Sequence, residues 1–154
     1  MQVALDTSTD IASLALIKDG LLLAEMTWRT HRNHTIQLLP NLEQLFKLTG
    51  TGSQELTAVI VGLGPGSFNG LRVGVSAAKG LAFSLNIPIV GINSLEVSAY
   101  QYAATGLPVC PVINAGRSEV ATTTYQTING EWQQTAPDQI ITLDQLCVQI
   151  KQKT

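Results

Sequence analysis

The segment from residue 57 to residue 85 constrains the fold more than any other part of the chain. Residues 57–62 read Thr-Ala-Val-Ile-Val-Gly, a continuous apolar run that is typical of a strand covered on both faces of its sheet. A glycine-rich loop follows at residues 64–70, and residues 71–85 then combine a helical pattern with many small side chains. This order predicts a buried strand, a tight loop and a helix, the connection that builds α/β folds.

Residues 2–28 predict a three-stranded antiparallel meander. Apolar segments at residues 3–5 and 11–17 precede Asp19-Gly20, a dipeptide that favours a two-residue hairpin turn, and the third strand follows at residues 21–28. A dinucleotide-binding domain would instead place a helix after its first strand. Residues 35–48 then carry apolar side chains at helical spacing, so we expect an amphipathic helix there.

The same order of strand, polar turn and hairpin recurs in the second half of the chain. We expect a strand at residues 109–113, and Asn129-Gly130 predicts a hairpin turn between residues 119–128 and a further strand. A last helix is expected at residues 143–151. The recurrence indicates a duplicated architecture. We therefore expect a first lobe at residues 1–105 and a partial, truncated second lobe at residues 106–154.

The glycine-rich loop and the start of its helix carry the most specific pattern in the sequence. Residues 64–74 read Gly-Pro-Gly-Ser-Phe-Asn-Gly-Leu-Arg-Val-Gly, which closely resembles the TsaB family pattern G-P-G-S-F-T-G-L-R-I/V-G. Only Asn69 departs, since threonine is usual at that position. Further segments resemble the same family: Leu5-Asp6-Thr7-Ser8-Thr9, His34 with Leu38-Leu39-Pro40, residues 79–83, residues 87–91, and Arg117 with Glu119-Val120.

The resemblance implies an α/β fold of the actin-like ATPase class, in which each of two lobes contains a ribonuclease-H-like mixed sheet with an antiparallel meander and helices. It also implies a role in the threonylcarbamoylation of tRNA adenosine beside the anticodon. In bacteria TsaB pairs with TsaD, which transfers the threonylcarbamoyl group, and with the ATPase TsaE. The implied partners are thus a TsaD-like catalytic subunit, a TsaE-like ATPase and a second copy of the chain.

The first two helices are the expected partner-binding surface. Apolar residues make up 45% of the chain and charged residues only 13%, so a partner could cover surplus apolar surface. Small residues four positions apart in the second helix would allow another helix to approach closely, and the resemblance implies a four-helix bundle with the partner. The alternative is that both helices pack only on their own sheet. The expected contact residues are Leu38, Leu42, Leu45, Arg72, Gly74, Val75, Ala78 and Ala82.

The turn after the first strand and the glycine-rich loop are the candidate nucleotide site. An acidic group at the end of the first strand helps to hold a metal–phosphate unit in actin-like ATPases, and glycine loops can expose N–H groups to phosphate. However, the loop lacks the Lys-Ser/Thr of a P-loop, and Asn114 stands where the family usually has aspartate. We therefore favour a tight structural connection with at most a vestigial nucleotide site. Its residues would be Asp6, Thr7, Ser8, Gly64, Gly66 and Ser67.

Neither catalytic residues nor a resident metal are expected. His31 and His34 form an H-x-x-H pair without an evident third ligand, so a solvated or capping role is favoured. Ser67 does not lie in the G-x-S-x-G pattern of a nucleophile elbow, which leaves peptidase activity unsupported. No cofactor is expected, and ATP with Mg²⁺ would bind only in the complex with partner subunits. Cys110 and Cys147 are expected to be reduced, mostly buried thiols.

The charge balance restricts the partners further. The net charge is −2, and nine Lys and Arg residues form no cluster that would bind nucleic acid. Direct tRNA binding is therefore not expected. The sequence has no signal peptide and no apolar run long enough to cross a bilayer, so we expect a cytoplasmic protein.

The favoured hypothesis is a non-catalytic dimerisation subunit that holds and activates a TsaD-like transferase through its first two helices. One alternative is a self-sufficient nucleotide-binding enzyme with the actin-like ATPase fold. Another is a truncated, inactive paralogue. Binding of MgATP and co-elution with TsaD distinguish these three hypotheses.

Overall fold

The computed structural model describes residues 1–30 and 33–153, without the side chains of residues 152 and 153. The described chain forms two compact units, Met1–Ile92 and a second unit that begins at Asn93. The boundary lies before the third helix rather than at residue 105. The reason is that Leu95 and Ala99 of this helix pack against Ile113 and Tyr125 in a core of their own.

The first unit is a five-stranded mixed sheet with two long helices. The strand order is β3-β2-β1-β4-β5, in which β1 pairs antiparallel with β2 and parallel with β4. The first three strands form the antiparallel meander that the sequence predicts, and β4 and β5 add parallel strands. The elements are β1 (Gln2–Asp6), β2 (Ile11–Lys18), β3 (Leu21–Arg29), α1 (His34–Thr49), β4 (Ala58–Gly62), α2 (Phe68–Leu85) and β5 (Ile89–Ile92).

The core of the first unit lies between the sheet and these two helices. Alternate residues of the strands, such as Val3, Leu14 and Val59, are fully buried and pack with the inner faces of α1 and α2. The continuous apolar run of β4 predicted cover on both faces of the sheet. In the first unit only one face of the sheet is closely covered. This is seen at Ile60, which points to the opposite face of β4 and is half-buried.

Local signals explain where the two helices begin and end. Gly50 ends α1 in the left-handed conformation, and Pro40 lies inside this helix. The Ser67 hydroxyl accepts a hydrogen bond from the Gly70 N–H at 3.3 Å, so α2 begins at Phe68, earlier than the predicted start at residue 71. Among the described residues, no helix is long and apolar enough to cross a membrane.

The second unit is a three-stranded antiparallel sheet in the order β6-β7-β8 with two helices. The predicted hairpin is present, with Asn129 and Gly130 both at positive φ. The strand expected at residues 109–113 begins later, at Val112. Val109 forms only an isolated bridge to Tyr125, and Pro111 has no N–H to donate. The elements are α3 (Ser94–Tyr100), β6 (Val112–Gly116), β7 (Glu119–Ile128), β8 (Glu131–Thr142) and α4 (Leu143–Lys153).

Candidate functional site: the glycine loop and the outer faces of α1 and α2

The glycine-rich loop packs backbone to backbone against the turn that follows β1. The Ser67 N–H donates to the Ser8 carbonyl oxygen at 2.6 Å, and the Thr7 hydroxyl donates to the Gly70 carbonyl oxygen at 2.8 Å. A methyl group on Gly66 would collide with the carbonyl oxygen of Ser8, and one on Gly70 would collide with that of Thr7. The loop therefore forms a tight strand-to-helix connection.

The polar groups of the turn after β1 are largely engaged within the turn. The Asp6 carboxylate accepts hydrogen bonds from the Ser8 N–H at 2.9 Å and from the Ser8 hydroxyl at 3.1 Å. Thr7 and Ser8 are buried, whereas Ser67 is exposed. The candidate nucleotide residues thus lie close together, and Gly64, which precedes a cis peptide bond to Pro65, belongs to the same loop. The hydrogen bonds from Thr7 to Gly70 and from Ser67 to Ser8 hold the turn and the glycine-rich loop to each other.

His34 has a structural partner in the same region. Its Nε2 lies 3.0 Å from the Thr9 carbonyl oxygen, and since a carbonyl only accepts, Nε2 must carry the proton. His34 is buried at the first turn of α1 and joins this helix to the turn after β1, so the predicted solvated or capping role is wrong. His31 lies outside the described residues. Over the described ranges, no group of three or more His, Cys, Asp or Glu side chains could hold a metal ion.

The structure corrects most of the predicted partner-binding residues. Six of them are buried in the first unit, where they face the sheet and the turn after β1 instead of solvent: Leu38, Leu42, Leu45, Gly74, Ala78 and Ala82. Ala78 is completely buried, and a side chain on Gly74 would collide with the Thr7 hydroxyl. Of the eight, only Arg72 is exposed and only Val75 is half-buried. The small-residue stripe of α2 therefore serves its own fold.

The outer faces of the same two helices remain strongly apolar. Ile36, Leu39 and Leu48 of α1 are 70%, 54% and 69% exposed, and Phe68 and Phe83 of α2 are 72% and 91% exposed. A groove of about 670 Å³ runs between the helices. Its walls are Thr35, Leu38, Leu39, Asn69, Arg72, Val73, Ser76 and Ala77.

One face of α2 combines aromatic and cationic side chains. We call Phe68, Arg72, Ser76, Lys79 and Phe83 the α2 stripe; all five are exposed. The Arg72 guanidinium carbon lies 5.4 Å from the centre of the Phe68 ring, close enough for a cation–π contact. The four- and seven-residue spacing of Phe68, Arg72, Lys79 and Phe83 is readable in the sequence, but the prediction followed the small residues instead.

Two further sequence expectations lie outside this surface. Cys110 and Cys147 are unpaired thiols, as expected, but both are exposed and not buried. Asn114, which stands where the family usually has aspartate, accepts a hydrogen bond from the Gly116 N–H at 2.7 Å and so supports the turn at the end of β6.

Comparisons with known proteins agree with the fold and with the pattern in the glycine loop. A family model described as "TsaD: tRNA N6-adenosine threonylcarbamoyltransferase" matches residues 24–153. The tRNA threonylcarbamoyladenosine biosynthesis protein TsaB of Bacillus subtilis is 34% identical over 98% of the chain and 66% of that protein. The Escherichia coli protein of the same name is 35% identical over 84% of the chain and 57% of that protein.

Solved structures show the same fold. YeaZ from Pseudomonas aeruginosa superposes with a TM-score of 0.84 and 30% identity over 91% of the chain and 66% of that structure. A second structure, described as an uncharacterized protein with similarity to peptidase YeaZ from Pseudomonas aeruginosa, has a TM-score of 0.85 and 29% identity over 92% of the chain and 66% of its own.

The matches cover only part of the length of the relatives, so they describe only that part. The chain spans 66% and 57% of the two TsaB relatives, so the similarity covers only part of each. Within that part, the mixed five-stranded sheet and the superpositions confirm the predicted actin-like, ribonuclease-H-like fold class. On the residue pattern, the fold and the similarity together, the chain belongs to the TsaB family.

Proposed function

We propose that the chain is a non-catalytic dimerisation subunit of a tRNA N6-adenosine threonylcarbamoyltransferase complex, in which it binds and activates a TsaD-like catalytic subunit. Relatives named for tRNA threonylcarbamoyladenosine biosynthesis support the pathway. The observation that carries the binding role is the apolar outer surface of α1 and α2 on both sides of an open groove. A partner helix lying in this groove would bury that surface.

The size of the exposed side chains gives this contact a driving force. Burying a Leu or Phe side chain that is otherwise exposed contributes about 1.5–3 kcal/mol. Leu39, Phe68 and Phe83 together would therefore supply a substantial part of a stable association, before the cost of ordering the partners. Phenylalanine is also enriched in protein interfaces relative to the rest of the surface.

The remaining chemistry is assigned to the partners. The net charge of −2 supports a role in which the catalytic subunit, not this chain, holds the tRNA. The engagement of Asp6 and Ser8 with each other supports a chain that has no cofactor of its own. ATP and Mg²⁺ then act in the assembled complex, where a TsaE-like ATPase is the further partner.

Co-purification with the TsaD-type transferase of the same organism tests the proposal. We expect a stable complex in size-exclusion chromatography, and we expect Leu39→Asp and Phe83→Asp each to weaken it at least about tenfold because a carboxylate would be placed in the contact. Leu21→Asp is the matched control, since Leu21 is 70% exposed but lies on β3. Failure of the unaltered chain to change the elution of the transferase would contradict the proposal and favour an inactive paralogue.

A further inference from the structure

The aromatic and cationic side chains of the α2 stripe are arranged symmetrically along the helix. Phe68 and Phe83 lie at its two ends, and Arg72 and Lys79 each lie four residues inward from one of these phenylalanines. At 3.6 residues per turn, these four side chains fall within about 60° of arc. They therefore present one continuous face that reads aromatic, cationic, cationic, aromatic.

The two cations of the stripe form no ion pair with the described residues. α2 contains no Asp or Glu. The ion pairs among the described residues are Lys18 with Glu55 at 3.7 Å and Lys47 with Glu43 at 2.7 Å, and neither involves α2. Arg72 and Lys79 are thus free of ion pairs within the described chain and can pair with acidic groups of another chain.

This arrangement disfavours pairing of the stripe with a second copy of itself. In a twofold antiparallel pair of α2 helices, Phe68 would meet Phe83 of the second copy, which is favourable. The same symmetry would bring Arg72 against Lys79 of the second copy, and it would do so twice because a twofold interface repeats every contact. Like charges placed against each other at an interface are strongly unfavourable.

A different helix can satisfy both features of the stripe. We propose that the occupant is an amphipathic helix of another chain that carries carboxylates opposite Arg72 and Lys79 and apolar residues opposite Phe68 and Phe83. Two carboxylates two helical turns apart would match the cations, a separation of about 10.5 Å. The Arg72 side chain contacts the Phe68 ring and lines the groove, and a guanidinium can donate two parallel hydrogen bonds to a carboxylate.

The charges of the stripe thus select a heterologous partner over self-association. This inference rests on the proposed function, since it specifies the chemistry of the partner surface for the same groove. It adds a prediction that the proposed function does not make, namely that Arg72 and Lys79 set the choice of partner. The aromatic ends provide affinity in either pairing, but only acidic residues in the partner relieve the two cations.

Charge reversal on the full chain tests the choice of partner. Isothermal titration calorimetry with the TsaD-type transferase would compare Arg72→Glu, the double variant Arg72→Glu/Lys79→Glu and the control Lys151→Glu, which reverses an exposed cation on α4. We expect the dissociation constant to rise about tenfold in the single variant and about a hundredfold in the double variant. The control should change it less than about twofold.

Self-association gives an independent readout in the opposite direction. In Arg72→Glu, the new carboxylate would meet Lys79 of a second copy, so sedimentation equilibrium should show a stronger homodimer than for the unaltered chain. In the double variant, Glu would meet Glu, and the gain should disappear. This pattern of gain and loss follows only from pairing of oppositely charged groups across the stripe.

The outcomes separate this inference from the proposed function. If the unaltered chain binds the transferase but Arg72→Glu weakens the complex no more than Lys151→Glu, the inference is overturned and the proposed function stands. If both reversed variants self-associate like the unaltered chain, the antiparallel charge argument fails. If the unaltered chain does not bind the transferase, both proposals fail.

Discussion

At the scale of single residues, two glycines of α2 differ in what surrounds their Cα atoms. Gly70 lies against the Thr7 carbonyl oxygen, and a methyl group there would overlap with it. Gly80 has open space around the position of a Cβ atom. The same substitution at the two positions therefore separates a packing requirement from the general effect of glycine on helix stability.

We expect Gly70→Ala to lower the free energy of unfolding by about 2–3 kcal/mol, because the backbone of the β1 turn would have to move. Gly80→Ala should raise it by about 0.5–1 kcal/mol, since alanine is the better helix former and meets no obstacle. Urea unfolding followed by circular dichroism measures both changes. Equal effects at the two positions would mean that the loop contact does not constrain Gly70.

The ionisation of Tyr125 couples the stability of the second unit to pH. Burial raises the pKa of Tyr125 to about 12, and the carboxylates of Glu96 and Asp138 act in the same direction. Its ring is stacked on Trp132 with ring centres 5.4 Å apart. The folded state therefore favours the neutral phenol more than the unfolded chain does, where the pKa is near 10.0.

Stability should consequently fall as the pH rises from about 10 to about 12. In that range the unfolded chain releases the phenolic proton first and binds fewer protons than the folded state, so the free energy of unfolding decreases with pH. Below pH 10 this contribution is fully present. Thermal unfolding across alkaline pH would show the loss, and Tyr125→Phe should remove its part of it; an identical pH profile for this variant would assign the dependence to other groups.

At the scale of elements, α2 presents two faces with different tasks. The inner face carries Gly74, Ala78 and Ala82, whose small side chains let the helix lie close to the sheet and to Thr7. The outer face is the α2 stripe. Substitutions on the two faces should therefore have different kinds of effect, on folding in one case and on association in the other.

We expect Ala78→Arg to prevent folding of the first unit, because Ala78 is fully buried and an unpaired charge would enter the core. If Ala78 instead faced a partner, as expected from the sequence, the variant would fold and lose only its pairing. Ser76→Arg, two residues away and exposed in the groove, should stay folded but bind the transferase less tightly. Circular dichroism and co-elution distinguish these outcomes, and a folded Ala78→Arg chain would contradict the inner-face assignment.

Local signals predicted most of the elements in the first unit and the hairpin of the second. Asp19-Gly20 and Asn129-Gly130 each specify a turn through their positive φ angles. Such signals act between neighbours in the chain, so the sequence suffices. The early start of α2 depends instead on the Ser67 side chain as a cap, which the glycine-rich loop obscured.

The partner surface could not be read in the same way. A stripe such as Gly74, Ala78 and Ala82 permits close approach of any neighbour, whether that is a partner helix or the chain's own sheet. Which neighbour is present depends on contacts between distant segments, such as Thr7 against Gly74. The sequence identified the two helices, but the faces had to be assigned from the structure.

At the scale of the whole molecule, the chain spans only part of its TsaB relatives, whereas the proposed association surface lies within a single unit. The fold class and the glycine-loop pattern are those of TsaB relatives, of which the chain spans 66% and 57% in the two described above. The groove and the α2 stripe lie wholly within the first unit, Met1–Ile92. The proposed association therefore uses elements that are present in the described chain, whereas nucleotide binding would require an arrangement around Asp6 that is engaged in other contacts.

We accordingly expect the isolated chain to bind MgATP more weakly than the micromolar range. The Asp6 carboxylate is held by the Ser8 N–H and hydroxyl, and Gly66 and Gly70 are packed against carbonyl oxygens that would repel a phosphate. Isothermal titration calorimetry with MgATP measures this directly, and Asp6→Asn serves as the comparison. Micromolar binding that Asp6→Asn abolishes would instead show that these loops open to form a nucleotide site, and it would favour the self-sufficient enzyme over the dimerisation subunit.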